Sequence, residues 1–297
     1  MIKHFRRLFE KKKPVSMGVE TAPLSPEQLQ TVTVVCTECK PPQLLVGSAQ
    51  SVGKQRDQNE DTLLALNAVI SDGDTGLPFG IFIVADGMGG HQHGEIASGV
   101  AARSMAEYLI KKLYGPLYGA NSEPQNDSLH EIMEKAVHEA QQIVTRKAPG
   151  GGTTLTAAIV IGEQVTLAHV GDTRAYFIYP DGRIQIMTQD HSLVRRLVEL
   201  GQLTEEEAAV HPQRNVLYRA VGQVEPFQPD INTYLLPHPG YMMLCSDGLW
   251  GVVTQAEIFK IITSQPNPVL ACHDLIEAAN NAGGPDNISA LLVQYIN

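Results

Sequence analysis

The sequence predicts an α+β fold in which two stacked, mainly antiparallel sheets are flanked by helices. From about Leu44 onward, short apolar segments enriched in β-branched and aromatic residues recur, and each has a turn signal at one end or both. Helical patterns separate runs of these segments instead of alternating with them one by one, which favours antiparallel layers over a parallel doubly wound sheet. Helices outside two sheets satisfy both observations.

Six segments have the length and composition of strands. They are FGIFIVAD, which we expect to end at Asp86, and TTLTAAIVIG, QVTLAHVGD, RAYFIYPDG, YMMLCSDG and NISALLVQYI. The dipeptides Gly162-Glu163, Gly171-Asp172 and Asp181-Gly182 separate consecutive apolar runs, so we predict a meander of antiparallel strands joined by tight turns. Apolar residues spaced three and four apart predict helices over 95–113, 128–146 and 266–281.

The composition limits the classes of function. With a net charge of −10 and a pI near 5.4, the 297-residue chain is predicted not to bind nucleic acid or anionic membrane surfaces in general. The sequence contains no bilayer-length apolar stretch and no apolar leader, so we expect a cytoplasmic protein. Cys36 and Cys39, in CTEC, lack a second pair, and we interpret them as ordinary thiols rather than as a redox or zinc motif.

The first thirteen residues, MIKHFRRLFEKKK, carry six Lys or Arg against one Glu. This composition suits an anchor to a membrane or to an acidic partner, but we favour a solvated terminus. Residues 14–42 are rich in Pro, Ser, Thr and Gln and lack periodicity. We therefore divide the chain into a basic segment with a linker, 1–43, and one layered domain, 44–297.

Acidic residues lie at the ends of several predicted strands. Each pair of an acid with a turn residue is, alone, more typical of a turn than of a binding site. Together they predict several carboxylates at one rim of a sheet sandwich, where mutual repulsion is costly unless cations neutralise them. The pairs are Asp86-Gly87, Gly171-Asp172, Asp247-Gly248 and Asp286-Asn287, and Glu60-Asp61 directly precedes another apolar run.

A ligand set made only of oxygen indicates Mg²⁺ or Mn²⁺ rather than zinc. Two such ions activate a water and hold phosphate oxygens for in-line attack, so the best-matched chemistry is phosphoryl hydrolysis. The site also needs a fixed positive group that orients the phosphate. Arg56, four residues before Glu60, is our candidate because a planar guanidinium binds two phosphate oxygens at once.

Seven motifs resemble, in the same order, those of the metal-dependent protein Ser/Thr phosphatases of type 2C, especially their compact bacterial branch. The motifs are RDQNED, VADGMGGHQHGEIAS, GGTTLTAAIV, AHVGDTRAYFI, TQDHSLVRRLVELGQLTEEEAAVHPQRNVLYRAVG, MLCSDGLWGVV and GGPDNISALLVQ. The resemblance extends from near Leu44 to the C-terminus. It implies a four-layer α-β-β-α sandwich with the metal site at one end of the two sheets.

The resemblance implies ligands for two metal ions. Asp86 would bridge both ions, and the Gly87 carbonyl and Glu60 would bind one of them. Asp247 and Asp286 would bind the other ion.

The resemblance also implies roles for other residues near these two ions. Asp172, together with Asp247, would hold a third and weaker ion, and Asp61 would hydrogen-bond metal-bound water. Arg56 would bind the substrate phosphate. Where better-known eukaryotic members have a histidine directly after the Asp-Gly pair, this chain has Met88. For the general acid we prefer His91, with metal-bound water as an open alternative.

We therefore predict a metal-dependent phosphatase that hydrolyses phosphoserine and phosphothreonine in proteins. A water or hydroxide bridging two Mn²⁺ or Mg²⁺ ions would attack directly, without a phosphoenzyme. The expected partners are phosphoprotein substrates and a cognate Ser/Thr kinase with its targets, and the chain is predicted to be a monomer. Two alternatives stay open, a phosphatase of one dedicated signalling regulator and a non-catalytic homologue that binds phosphoproteins.

Residues 191–219 resemble the mobile flap beside the active site of bacterial relatives.

Overall fold

The structure, a computed structural model, describes residues 41–72, 75–89, 92–118, 126–223 and 227–296. The basic segment 1–13, the pair Cys36 and Cys39, and His91 lie outside these ranges. The strands formed by the described residues are β1 (Gln43–Ser51), β2 (Asp61–Asp72), β3 (Thr75–Met88), β4 (Gly152–Thr153), β5 (Leu155–Ile161), β6 (Gln164–Val170), β7 (Arg174–Ile178), β8 (Ile184–Ile186), β9 (Asp230–Leu235), β10 (Tyr241–Cys245) and β11 (Ile288–Ile296).

Helices occupy the three regions where the apolar spacing predicts them. Ser128 and Glu131 start one of these helices with a reciprocal capping box, in which each side chain bonds the backbone N–H of the other. The described helices are α1 (Gln92–Leu109), followed by a π-helical turn (Ile110–Tyr114), α2 (Gly115–Tyr118), α3 (Leu129–Lys147), α4 (Leu193–Glu199), α5 (Glu205–Ala209), α6 (Asp247–Trp250), α7 (Gln255–Ser264) and α8 (Pro268–Asn281).

The strands form two sheets, and every pairing within them is antiparallel. Sheet 1 has the order β1-β11-β10-β7-β8. Sheet 2 has the order β2-β3-β5-β6-β9, and the short β4 pairs with the end of β3. Strand β3 lies inside sheet 2 and is buried on both faces, which explains why its sequence is almost continuously apolar.

Three apolar clusters separate four layers. Phe82 and Val84 of β3 point into the cluster between the two sheets, which also contains Leu244 of β10. The alternate residues Ile81 and Ile83 point into a second cluster shared with α1 and α3. A third cluster joins the outer face of sheet 1 to α7 and α8. The predicted four-layer α-β-β-α sandwich of two antiparallel sheets is therefore confirmed.

The predicted meander is wrong at one turn. The pairs Gly162-Glu163 and Asp181-Gly182 do connect antiparallel neighbours, β5 with β6 and β7 with β8. At Gly171-Asp172, however, the chain leaves sheet 2 and enters sheet 1, because β6 pairs with β9 and β7 pairs with β10. A tight turn and a crossing between stacked sheets have the same local sequence signal, and only the long-range pairing distinguishes them.

Replacing Phe82 with Ala should destabilise the protein by about 3–5 kcal/mol, because the large cavity would lie between two sheets that cannot both move inward. Phe82 is fully buried, whereas Val69 of β2 is 42% exposed. Urea unfolding measures the change, with Val69→Ala as the matched control, expected to shift stability much less. Equal shifts for the two variants would contradict the assigned core.

Candidate functional site

The described acidic residues predicted to bind metal converge at one end of the two sheets. In sheet 2, Asp61 begins β2 and is the antiparallel partner of Asp86 in β3. Asp172 lies at the crossing from β6 to β7, Asp247 begins α6 and is separated by one residue from the end of β10, and Asp286 precedes β11. Because antiparallel neighbours run in opposite directions, the end of one strand and the start of the next meet at the same rim.

A cavity of about 500 Å³ opens at this rim. Of the predicted site residues that the structure describes, Asp61 alone does not contribute to its wall, since it is buried at 7% exposure. His91 lies outside the described residues. The predicted residues that line the cavity are Arg56, Glu60, Asp86, Gly87, Asp172, Asp247 and Asp286.

Asp86 is held by the strand beside it and does not end its own strand. Strand β3 continues to Met88 and pairs there with β4, so the expected strand end at Asp86 is wrong. The Asp86 N–H donates to the Thr154 hydroxyl over 2.9 Å, and the Thr153 hydroxyl donates to the Asp86 carbonyl over 2.9 Å. The main chain of Asp86 is thus fixed on both sides while its carboxylate faces the cavity.

Gly87 is required by the close approach of two other chain segments. A Cβ at this position would lie 2.3 Å from the carbonyl oxygen of Gly94 and 2.6 Å from that of Glu60. The Gly87 N–H donates to the same Glu60 carbonyl over 3.2 Å. A bare backbone therefore lets Glu60 and the start of α1 pack directly against the residue that follows Asp86.

Two hydroxyl groups hold Asp61 by one oxygen only. Ser246 donates to Asp61 Oδ2 over 2.8 Å and Ser289 donates to the same oxygen over 2.6 Å. Among the described residues, the other oxygen, Oδ1, is buried without a hydrogen-bond partner, and so is Oδ1 of Asp247. Buried polar atoms in proteins nearly always have partners, so these two oxygens indicate that a bound group completes the site.

Asn287 ties the segment before β2 to the segment before β11. Its Oδ1 accepts from the Glu60 N–H over 2.8 Å, and its Nδ2 donates to the carbonyls of Val52 and Gln58 over 2.9 and 2.8 Å. The Asn287 N–H donates to Asp286 Oδ1 over 2.8 Å. Asn287 therefore holds two predicted metal ligands, Glu60 through its amide side chain and Asp286 through its backbone N–H.

Arg56 lies at the open side of the cavity, with a half-exposed side chain. Its guanidinium Nη2 contacts Asp286 Oδ2 at 2.7 Å. The two groups were predicted for different ligands, a phosphate and a metal ion, and the structure brings them together. A salt bridge this exposed contributes little stability, so Asp286 and Arg56 can both exchange partners when ligands bind.

The residues that hold the carboxylates in place were not predicted from the sequence. They include Thr154, Asn287, Ser246 and Ser289. A weak signal existed for two of them, because Ser246 directly precedes Asp247 and Asn287 directly follows Asp286. Ser289 and Thr154 carry no such signal. They act on Asp61 and Asp86, which are far from them along the chain.

Burial and mutual repulsion disfavour the charged forms of the clustered carboxylates. Burial is the largest cause at each position, and it raises the pKa of Asp61 to about 7 and that of Asp247 to about 6. The pKa of Asp172 is raised to about 8, mainly by burial and next by the charge of Asp247. Burial, together with four neighbouring aspartates, also holds the pKa of Asp86 well above its usual value.

The chemistry of this donor set fits hard divalent cations. The available side chains offer carboxylate oxygens, two of which lack partners among the described residues, and no Cys or His lines the described part of the cavity. Mg²⁺ and Mn²⁺ prefer such oxygen ligands. A cation between these groups would also remove the repulsion that raises their pKa values.

The position after the Asp-Gly pair offers no group that transfers protons. Met88 is half-buried and lines the cavity. His93, the described histidine nearest in sequence, is exposed at the start of α1 and does not line the cavity. The predicted role of His91 stays a prediction, because that residue lies outside the described ranges.

The segment predicted to form a flap, 191–219, contains the short helices α4 and α5 joined by irregular chain. Two of its residues, Asn215 and Leu217, line the same cavity as the acidic residues. Thr204 and Glu207 form a capping box that starts α5. The segment therefore has local order of its own and contributes directly to the wall of the site.

A family model, protein phosphatase 2C, matches residues 46–288. Among curated proteins, this chain is 36% identical over 250 residues to protein phosphatase PhpP of Streptococcus pneumoniae, covering 82% of this chain and 94% of that protein. It is 36% identical over 245 residues to the serine/threonine phosphatase stp of Listeria innocua, covering 82% of this chain and 92% of the relative. The chain belongs to the protein phosphatase 2C family.

Solved structures of serine/threonine phosphatases have the same fold. The enzyme from S. agalactiae superposes with a TM-score of 0.69 at 32% identity, covering 84% of this chain and 99% of that one. The catalytic domain of PstP, solved in complex with two manganese ions, has a TM-score of 0.67 at 28% identity, covering 86% and 99%. The predicted family and the enzyme class, a protein-serine/threonine phosphatase, are confirmed.

None of the helices in the described ranges combines the length and hydropathy that a membrane span needs.

Without divalent cations, the protein should lose stability as the pH rises from about 4 to about 8. The pKa of Asp172 is about 8 in the folded protein against 3.8 ordinarily, so the folded state binds more protons than the unfolded state across this interval. The stabilisation is complete below the ordinary pKa and is lost as the pH rises through the raised one.

Thermal unfolding in chelator at several pH values measures this slope. Asp172→Asn should flatten it, because the variant removes one group with a raised pKa, whereas Asp181→Asn at an exposed turn should leave it unchanged. A slope in Asp172→Asn equal to that of the unsubstituted protein would contradict the electrostatic account.

Proposed function

We propose that this chain dephosphorylates phosphoserine and phosphothreonine in proteins and that it needs two divalent cations, Mn²⁺ or Mg²⁺, to do so. The observation that carries the proposal is the convergence of carboxylates on one cavity. Among the described residues, a buried oxygen of Asp247, which lines this cavity, and one of the neighbouring Asp61, which does not line it, have no hydrogen-bond partner. The relatives named serine/threonine phosphatases support the substrate class. The catalytic domain would span 44–297, with 191–219 as its flap and 1–43 outside it.

The proposed ligands divide between the two cations. Asp86 would contact both cations, and Glu60 and the Gly87 carbonyl would complete the ligands of one. Asp247 and Asp286 would bind the second.

Two further aspartates, Asp172 and Asp61, would extend this site. Asp172 would add a weaker cation beside Asp247, because both line the same cavity and the charge of Asp247 raises the pKa of Asp172. Asp61 would orient water from its free oxygen, since Ser246 and Ser289 already occupy the other oxygen.

When bound, the cations lower the pKa of a water molecule and stabilise the negative charge that develops on the phosphate. The remaining work falls to the residues of the chain. Arg56, at the open side of the cavity, would release Asp286 and bind the phosphate through its planar guanidinium. His91 is our proposed proton donor for the leaving alcohol, on the basis of the family resemblance.

Direct hydrolysis without a phosphoenzyme agrees with the state of the described cysteines. Cys245 and Cys272 are both buried in the cluster between sheet 1 and its helices. Burial raises the pKa of both thiols, which disfavours the thiolate that a nucleophile requires. Neither residue lines the site cavity.

The compartment, oligomeric state and partners of the enzyme are proposed from its sequence and family alone. We propose a cytoplasmic monomer that reverses the action of a cognate Ser/Thr kinase on its protein targets, without nucleic acid as a partner. The acidic charge of the chain supports the last point. A phosphatase of one dedicated signalling regulator has the same site and differs only in its substrate, and a non-catalytic phosphoprotein-binding homologue would keep the fold without hydrolysis.

Substitution of a residue that contacts a metal ligand typically costs about 10–100-fold in metal affinity or activity. Asp247→Asn changes a proposed ligand itself, so it should lower phosphate release from a phosphothreonine peptide by more than this. Excess chelator should give the same loss in the unsubstituted protein. Glu107→Gln, at a side chain that is 76% exposed, is the control and should keep full activity. Phosphate release that persists in chelator would exclude the two-cation proposal, and peptide binding without any release would favour the non-catalytic homologue.

Arg56→Ala should lower kcat/KM by about 10–100-fold at saturating Mn²⁺, since a hydrogen bond to a charged group contributes about 1.5–3 kcal/mol. Arg56→Lys keeps the charge but loses the two-pronged geometry, so its activity should be intermediate. Arg183→Ala, at a side chain that is 69% exposed and paired with Asp181, serves as the control. An unchanged kcat/KM in Arg56→Ala would remove Arg56 from the site.

A further inference from the structure

Where the chain crosses from sheet 2 to sheet 1, β6 and β7 do not pair with each other, so no hairpin fixes the position of the crossing. Gly171 lies at this crossing with a φ of +107°, a backbone conformation that favours glycine. A Cβ there would lie 2.6 Å from the side chain of Thr154, the residue that fixes Asp86. The next residue is Asp172, so any displacement of the crossing would move a proposed cation ligand.

One buried histidine bonds both main-chain polar atoms of Gly171. The backbone N–H of His191 donates to the Gly171 carbonyl over 2.7 Å, and the Gly171 N–H donates to His191 Nδ1 over 3.1 Å. The following carbonyl, that of Asp172, accepts from Trp250 Nε1 over 3.0 Å. His191 is 2% exposed and does not line the site cavity, so it can act on Asp172 only through these bonds.

The other edge of the same imidazole anchors the base of the flap. Because Nδ1 accepts a bond, Nε2 carries the proton of the neutral ring and donates to Asp230 Oδ2 over 3.1 Å. Asp230 also accepts from Arg219 over 2.9 Å. The Tyr218 N–H donates to the His191 carbonyl over 2.9 Å, and the Tyr218 ring lies 5.7 Å from the imidazole.

The two ends of the flap are joined next to this histidine. Ser192 and Leu217 form an antiparallel bridge, and the Leu193 N–H donates to the Val216 carbonyl over 2.8 Å. Leu217 and Asn215 both line the cavity that Asp172 also lines. His191 is therefore bonded both to the base of the flap and to Gly171, the residue before Asp172.

We propose that His191 is a positioning residue that couples the base of the flap to Asp172. Its Nδ1 edge holds the crossing at Gly171, and its Nε2 edge holds the flap through Asp230. These bonds keep the Asp172 carboxylate in a fixed position relative to the flap residues that line the cavity. This inference rests on the proposed function only in taking Asp172 as a cation ligand.

Two substitutions separate the two edges of the ring. The amide of Asn reaches the position of Nδ1, so His191→Asn can still accept from Gly171 but cannot reach Asp230. The amide of Gln reaches the position of Nε2, so His191→Gln can donate to Asp230 but leaves the Gly171 N–H without its acceptor. Trp250, the only tryptophan in the chain, bonds the Asp172 carbonyl and reports on the crossing by its fluorescence.

We expect His191→Gln to shift the Trp250 emission and to weaken by about 10-fold or more the Mn²⁺ binding that Asp172→Asn abolishes, measured by calorimetry. His191→Asn should keep both properties close to those of the unsubstituted protein. Far-UV circular dichroism and thermal midpoints establish that both variants are folded. Emission and Mn²⁺ affinity that are unchanged in His191→Gln, or equally changed in both variants, would overturn the proposal.

The flap is tested separately by limited trypsin digestion. His191→Asn and Asp230→Ala both release the flap base, so cleavage after Arg195, Arg196 or Arg214 should be several-fold faster, while the Trp250 emission stays unchanged. Asp230 is 41% exposed, so Asp230→Ala should fold even where a change at His191 does not. Cleavage of Asp230→Ala at the original rate would overturn the coupling. Failure of the proposed function itself would appear as an unsubstituted protein without Mn²⁺ binding or phosphatase activity, and the fluorescence and digestion results do not depend on either.

Discussion

The burial of several carboxylates at one rim of a sheet sandwich is the constraint on which the rest of this structure depends. Burial is the largest cause of the raised pKa values of Asp61, Asp86, Asp172 and Asp247. The charge of Asp247 adds to the pKa of the other three, and the charge of Asp286 adds to that of Asp247. A buried charge is costly unless it is paired, so this rim lowers the stability of the fold when no cation is bound. The apolar clusters between the four layers provide the stability that tolerates it.

The groups that hold the central carboxylates are mostly neutral. Hydroxyls bond Asp61 and the main chain of Asp86. Asn287 bonds Glu60 through its amide side chain and Asp286 through its backbone N–H. Neutral donors fix the position of a carboxylate but leave its charge available for a cation. The exception is Arg56, which pairs with Asp286 at the open side, where a partner is exchanged at small cost. By contrast Asp190, which does not line the cavity at the rim, is neutralised by a two-pronged bond from Arg174.

The crossing between the sheets gives the site its connection to the flap. A chain that stayed in sheet 2 after β6 would place Asp172 in an ordinary hairpin turn, away from Asp247, which begins α6 beyond the end of β10 in sheet 1. Because the chain changes sheet at Gly171, Asp172 lies between carboxylates of both sheets, and His191 reaches the crossing from the base of the flap. The same topological step thus assembles the acidic cavity and attaches the segment that covers part of it.

The sequence by itself determined which segments form most of the strands and long helices, because apolar spacing and capping residues act over a few positions. It also identified the acidic residues at the strand ends, since their Asp-Gly and Gly-Asp pairs are local signals. Tertiary structure alone decided that β6 and β7 belong to different sheets, that β3 continues past Asp86, and that Ser289 and Thr154 hold acids far away in the chain. These features depend on strand pairing and on contacts between distant residues, for which a single sequence contains no periodic or local signal.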